Sequence, residues 1–166
     1  ILADAGKYLG FIAIADIIRS TAKQAVIGLK KTSDVYMLTG DHRLTAQAIA
    51  KELGIDKVVV EVLPDKKVAE IIKLQAEGKV VAFVGDGIND APALVQANLG
   101  IAMGGGTDIA LEIGNIVLMT SDLLKVLGAI NLSKKTFQVI KQNLFLITIF
   151  LMFLIFISSK VNNFYT

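Results

Sequence analysis

The chain has no cysteine, no tryptophan, two prolines and one histidine in 166 residues. Without cysteine it can form neither a disulfide nor a thiolate metal site, which fits a reducing compartment. Charge of one sign is also missing. The 17 basic and 15 acidic residues leave a net charge of +2 with no long basic run, which argues against a nucleic-acid partner. The first residues, ILADAGKYLG, lack a basic region followed by a long apolar core, so they are no signal peptide. They also lack an initiator methionine and begin in mid-pattern, so a fragment is expected. There is no low-complexity tract and no internal repeat beyond an alternation of strands and helices. What the chain has in excess is apolar residues, 54% of the total, and the excess is concentrated near the C-terminus.

Residues 80–94, VVAFVGDGINDAPAL, organise the rest. Val80 to Val84 form an apolar run bounded by glycine, as expected of a buried parallel strand. At Gly85-Asp86-Gly87 two glycines let the backbone turn sharply and approach a ligand closely. Asn89, Asp90 and Pro92 read as the cap, first turn and early proline of a helix. This places Asp86, Asn89 and Asp90 in a crevice at the carboxyl end of a strand, where open α/β sheets bind ligands. Carboxylates beside free backbone N–H groups suit a magnesium-assisted phosphate site, because hard cations prefer oxygen ligands. The bland alternative is an Asp-Gly turn leading into a capped helix.

The flanking segments alternate in the same way. Strands are expected at residues 9–15, 35–38, 58–62, 99–102 and 116–119. Helices are expected from Ser20, which can act as a cap, over 44–53 with Gly54 as its C-cap, from Pro64 to just before Gly78, and over 108–112. The Gly104-Gly105-Gly106 loop reads only as a tight turn. This order predicts an α/β fold, a doubly wound parallel sheet covered on both faces. From Leu123 to Phe156 there is one glycine, Gly128, and no proline, so the segment can run as one helix or a kinked pair. Residues 142–159, between Lys141 and Lys160, are 18 uncharged positions. That is the length of a transmembrane candidate, and the lysines on its N-terminal flank put that side in the cytoplasm.

Further groups converge on the strand ends. Thr39-Gly40-Asp41 offers a hydroxyl, exposed N–H groups and a carboxylate after one strand. Lys67, three residues after Pro64, can reach the mouth of the sheet with its ammonium. Asp16 and Arg19, one turn apart, can pair as a charge clamp. Taken singly, each is as well explained by a turn, a solvated lysine or a solvated pair. His42, the only histidine, reads as an exposed loop residue.

Taken together, GFIAIADIIRSTAKQAV, MLTGDHRLTAQAIAKELGI, LPDKKVAEI, VGDGINDAPAL and AMGGGTDIALE resemble, in order and separation, the phosphorylation domain of P-type ATPases. These belong to the haloacid-dehalogenase superfamily. LSKKTFQVIKQNLF resembles the heavy-metal (copper, zinc and cadmium) subgroup in particular. The resemblance covers roughly residues 10–145. It implies a membrane-bound pump that uses Mg²⁺ and ATP to move a heavy-metal cation, with residues 1–141 cytoplasmic.

By the same resemblance Asp86 is a Mg²⁺ ligand, with Asn89 and Asp90 supporting the metal and phosphoryl oxygens. Thr39 and Gly40 bind the transferred phosphoryl group, and Asp41 borders the nucleotide. Lys67 neutralises phosphate and nucleophile charge, and Asp16 and Arg19 lie at the hinge to the nucleotide-binding domain. The implied domains are the end of the nucleotide-binding domain (1–9), the phosphorylation domain lacking its nucleophile strand (10–121), a cytoplasmic linker helix (122–141), a membrane helix (142–159) and a tail (160–166). The family's Asp-Lys-Thr-Gly-Thr nucleophile motif and its Cys-Pro-Cys membrane motif are absent. Phe150 and Leu151 stand where copper-type relatives often have Tyr-Asn, and no second membrane span follows the first. The expectation is therefore a chain that supplies part of a site but no nucleophile. Its rivals are a piece of a soluble phosphatase of the same superfamily and a non-catalytic, membrane-anchored binding module.

Overall fold

The computed structural model describes residues 2–4, 7–10, 18–85, 88–104 and 114–162. Asp16, Asp86, Gly105, Gly106, the helix expected at 108–112 and most of the strand expected at 9–15 lie outside them. Two short strands, β1 (Leu2–Asp4) and β2 (Lys7–Gly10), pair antiparallel as a separate ribbon. The remaining strands are parallel and fall into two blocks. In one, β3 (Tyr36–Leu38) pairs with β4 (Lys57–Val59). In the other, β5 (Ala82–Gly85), β6 (Leu99–Met103) and β7 (Ile116–Leu118) lie in that order. The expected alternation of parallel strands and helices is present. Among the described residues, however, the expected single sheet is interrupted between β3 and β5.

Each helix forms where its apolar residues recur every three or four positions. The first, α1 (Ser20–Lys30), buries Ala22, Ala25 and Val26. Ser20 is its first residue rather than its cap, because Arg19 occupies the cap position. The second, α2 (Arg43–Leu53), buries Ala46, Ala50 and Leu53. Gly54, at φ 73°, ends α2 in the left-handed conformation that glycine adopts without penalty. There Gly54 N–H bonds the Lys51 carbonyl and Ile55 N–H the Ala50 carbonyl, the paired bonds of a Schellman cap. Together α1 and α2 pack on Met37 and Val58.

Pro64 opens α3 (Pro64–Ala76) at a position that needs no N–H donor. Ile71 of α3, with Ala93 and Ala97, forms a second core against Val81 and Phe83. The strand expected at 58–62 ends at Val59 because Glu61 turns the chain with a positive φ of 55°. The helix expected from Asn89 begins later. Residues Ile88–Asp90 form a 3₁₀ turn, and α4 (Ala91–Gln96) starts at Ala91 with Pro92 in its first turn. Asn89 therefore does not cap it, and Asp90 sits at the cap position without a capping bond from its side chain.

From Leu123 the chain runs as one 40-residue helix, α5 (Leu123–Asn162), with no break. The sequence allowed one helix or a kinked pair; a run with no proline and one glycine folds as the former. Only its first turns pack on the domain, where Val126 is 2% exposed. Every residue from 131 to 158 is exposed, including Phe145, Phe150, Phe153 and Phe156. The helix is long and apolar enough to cross a membrane, and none of that span is covered by protein. Each large apolar side chain left in water forgoes roughly 1.5–3 kcal/mol of burial. A bilayer relieves that cost. The chain should accordingly pellet with phospholipid vesicles, whereas the same chain ending at Lys141 should remain in the supernatant. Equal recovery of both forms from the aqueous phase would remove the membrane assignment.

Candidate functional site

Two loops at the carboxyl ends of β3 and β4 are stitched to each other. Thr39 N–H bonds the Val59 carbonyl at 3.0 Å, and Val62 N–H bonds the Thr39 carbonyl at 3.0 Å. Glu61 N–H bonds the Asp41 carbonyl at 3.2 Å. Within the first loop Thr39 Oγ1 donates to Asp41 Oδ2 at 2.9 Å and accepts the Asp41 N–H at 3.2 Å. The Thr39-Gly40-Asp41 loop is thus held open-ended, with Gly40 and Asp41 exposed and Thr39 half-buried. A Cβ on Gly40 would meet only the Val62 carbonyl, at an ordinary 3.6 Å, so packing alone does not require glycine there. His42 is exposed as expected and lies 3.5 Å from Glu61.

The β4 loop leads into α3, and this brings Lys67 to the same edge. Lys67 Nζ contacts Asp90 Oδ1 at 2.6 Å, and the two side chains are only 18% and 13% exposed. Either charge alone would be costly to withdraw from water, so the contact and the shared burial depend on each other. Asp90 also explains Gly85. A Cβ on Gly85 would lie 2.8 Å from Asp90 Cβ and 2.9 Å from Asp90 Oδ2, so any side chain there would displace the carboxylate. Sequence reasoning gave this glycine to a turn and a ligand; its structural task is to admit Asp90. No local pattern links Lys67 to Asp90, 23 positions further along the chain. Asn89 is exposed on the same 3₁₀ turn.

Lys67 and Asp90 face a cavity of about 540 Å³ between the two parallel blocks. Tyr36 and Leu38 of β3 line one side and Ala82 and Val84 of β5 the other. Among the described residues β3 pairs only with β4 and β5 only with β6, so each has an edge turned to this opening. Within this lining Lys79 Nζ reaches Tyr36 Oη at 3.2 Å across the blocks. Leu38, next to Thr39, shares this cavity with Lys67 and Asp90, which brings three of the expected βα junctions to one edge. Arg19 Nη1 donates to the Ser121 carbonyl at 3.0 Å, just before α5. Asp16 and Asp86 are outside the described residues.

Known proteins with this pattern agree on its family. The haloacid dehalogenase-like hydrolase family matches residues 1–98. A copper-exporting P-type ATPase of Bacillus subtilis is 53% identical over 141 residues, covering 84% of this chain and 18% of that protein. A probable copper-exporting P-type ATPase of Archaeoglobus fulgidus is 54% identical over 146 residues, covering 87% of this chain and 18% of that protein. The crystal structure of a zinc-transporting PIB-type ATPase in its E2.Pi state superposes with a TM-score of 0.74 at 41% identity, over 84% of this chain and 23% of that one. The chain therefore spans less than a fifth of the curated relatives it matches. It belongs to the haloacid dehalogenase-like hydrolases and, over most of its length, is homologous to the heavy-metal P-type ATPases.

Proposed function

We propose that this chain is part of an ATP-driven heavy-metal cation pump that works through an aspartyl phosphate. On this reading it supplies the phosphate-facing residues of the phosphorylation domain, and a segment outside it supplies the aspartate nucleophile. The observation that carries the proposal is the half-buried Lys67–Asp90 pair at the mouth of the opening between β3 and β5. One parallel strand set between them would join the blocks and bring its own carboxyl end beside Lys67. The family's nucleophile motif lies on such a strand, and most of the length of the relatives lies outside this chain.

The side chains suit these tasks. Phosphoryl transfer needs positioning and charge neutralisation more than covalent help from the protein. Lys67 can turn part of its hydrogen-bonding capacity from Asp90 to a phosphoryl oxygen or to the nucleophile carboxylate. Thr39 Oγ1 and Gly40 N–H can donate to the phosphoryl group, the hydroxyl exchanging its bond to Asp41 for the ligand. Asp41 borders the nucleotide side. Asn89 and Asp90, with Asp86, offer only oxygen donors. Carboxylate and amide oxygens suit Mg²⁺, a hard cation that keeps several waters and takes one or two carboxylates. When bound there, Mg²⁺ would offset the charge of the phosphoryl oxygens. The exposed apolar length of α5 favours the pump over a soluble phosphatase.

In the full-length protein, Asp86→Ala should abolish the Mg²⁺-dependent, hydroxylamine-sensitive phosphoenzyme formed from ATP, with the domain still folded. Lys67→Met should slow its formation by about 10²–10³-fold, the usual loss for one preorganised electrostatic donor. Near-normal phosphoenzyme from folded Asp86→Ala protein would contradict the assignment.

A further inference from the structure

Lys67, Ile71 and Gln75 follow one another at intervals of four in α3, so they lie on one face of that helix. Each meets α4 or its flank by a different chemistry. Lys67 holds Asp90 at the start of α4. Ile71, 1% exposed, shares a core cluster with Ala93 and Ala97. At the far end two amides face each other. Gln75 Nε2 donates to the Gln96 carbonyl at 3.0 Å, and Gln96 Nε2 donates back to Gln75 Oε1 at 2.9 Å. Gln75 Nε2 also donates to Asn98 Oδ1 at 3.2 Å, and the same oxygen accepts the Val81 N–H at 2.9 Å, one residue before β5.

Gln96 is the last residue of α4, and a carbonyl there has no partner within its own helix. Gln75 therefore caps α4 from the neighbouring helix. With only six residues, α4 depends on its surroundings for its place. Packing on β6 sets its depth, since a Cβ on Gly100 would lie 2.5 Å from the Leu94 carbonyl oxygen. Apolar packing is non-directional and resists sliding weakly, whereas hydrogen bonds weaken steeply away from their best geometry. The position of α4 along α3 is thus held by the polar contacts at its two ends. Lys67 and Gln75, the anchors on α3, are roughly 12 Å apart at 1.5 Å per residue. A slip at Gln96 is carried through one short helix to Asp90.

We propose that Gln75, with Gln96 and Asn98, sets the register of α4 on α3 and thereby the placement of Asp90 against Lys67. Gln75 is a positioning residue for the phosphate site. It reaches neither Lys67 nor Asp90 and acts through the length of α4. The effect on catalysis rests on the pump reading, whereas the register itself does not. Asn98 serves through its oxygen alone, so an aspartate can replace it and a leucine cannot.

The test is a double-mutant cycle in the full-length protein. Gln75→Met keeps the length of the side chain and removes its polar atoms. It should slow phosphoenzyme formation from ATP about tenfold, a loss in keeping with a small misplacement of reacting groups. In a Lys67→Met background the same change should cost less than about twofold, because its route to the reaction is already gone. General damage would cost the same factor in both backgrounds. Equal costs, or no cost in the parent, overturn the proposal. Asn98→Asp should stay within about twofold of the parent while Asn98→Leu slows as Gln75→Met does; equal losses in the two overturn the role given to the Asn98 oxygen. Gln96→Met, which removes one bond only, goes through the same cycle if Gln75→Met does not fold. Amide exchange over residues 91–97 gives a readout independent of activity. It should quicken in Gln75→Met, or in Gln96→Met, while exchange in α1 stays as it was. Unchanged exchange over 91–97 overturns the register whatever the reaction. A parent that forms no phosphoenzyme sinks the pump reading and leaves the register to be judged on exchange.

Discussion

Lys67 and Asp90 come from successive βα units, one from the first turn of α3 and the other from the turn after β5. Their 2.6 Å contact fixes the relation of these units at the edge where a ligand would enter. Much else follows from it. Asp90 cannot cap α4 with its side chain because the carboxylate is turned to Lys67, so the chain passes through a 3₁₀ turn before the helix begins. Gly85 cannot bear a side chain because Asp90 lies against it. Pro64 sets the start of α3 and hence the height at which Lys67 projects. The Glu61 turn and the bonds from Val62 and Glu61 back to the Thr39 loop then hold a third junction at the same edge. A half-buried cation between two loops and a carboxylate is a preorganised place for an anion, made at the cost of withdrawing both charges from water.

The features set by local rules were legible in the sequence. Gly54, Pro64, the apolar periodicity of α1 to α3 and the unbroken run of α5 each depend on a few neighbouring residues, and the structure places them as expected. What depends on partners distant in the chain was not legible. No local pattern reports that the Arg19 guanidinium reaches a carbonyl 102 positions away. Lys67 reads as a cation at the mouth of the sheet, but its carboxylate partner, Asp90, lies 23 positions away. The β4 strand stops early because of one left-handed residue, Glu61, which no apolar pattern reports. The resemblance implies a missing nucleophile strand, but periodicity along a strand cannot give its lateral neighbours, so the position of the break between β3 and β5 emerges only from the pairing.

That break links the fold to the proposed function. The Lys79–Tyr36 contact joins the two blocks, but between β3 and β5 the described residues leave backbone edges facing a cavity rather than each other. Unpaired strand edges are costly to leave dry and attract a further strand. A parallel strand there would serve structure and chemistry together, closing the sheet and delivering its carboxyl end to Lys67. The same cavity is bordered by α5 through Val126 and Ile130.

The most direct measurement of this account is backbone amide exchange at Tyr36–Leu38 and Ala82–Gly85, compared between this chain and the full-length protein. If a strand from outside the chain completes the sheet, amides on the facing edges of β3 and β5 should be much better protected in the full-length protein. Amides of β6, already paired on both sides, should change little. Equal protection of β3 and β5 in the two proteins would contradict the account, because nothing beyond these residues would then occupy the opening.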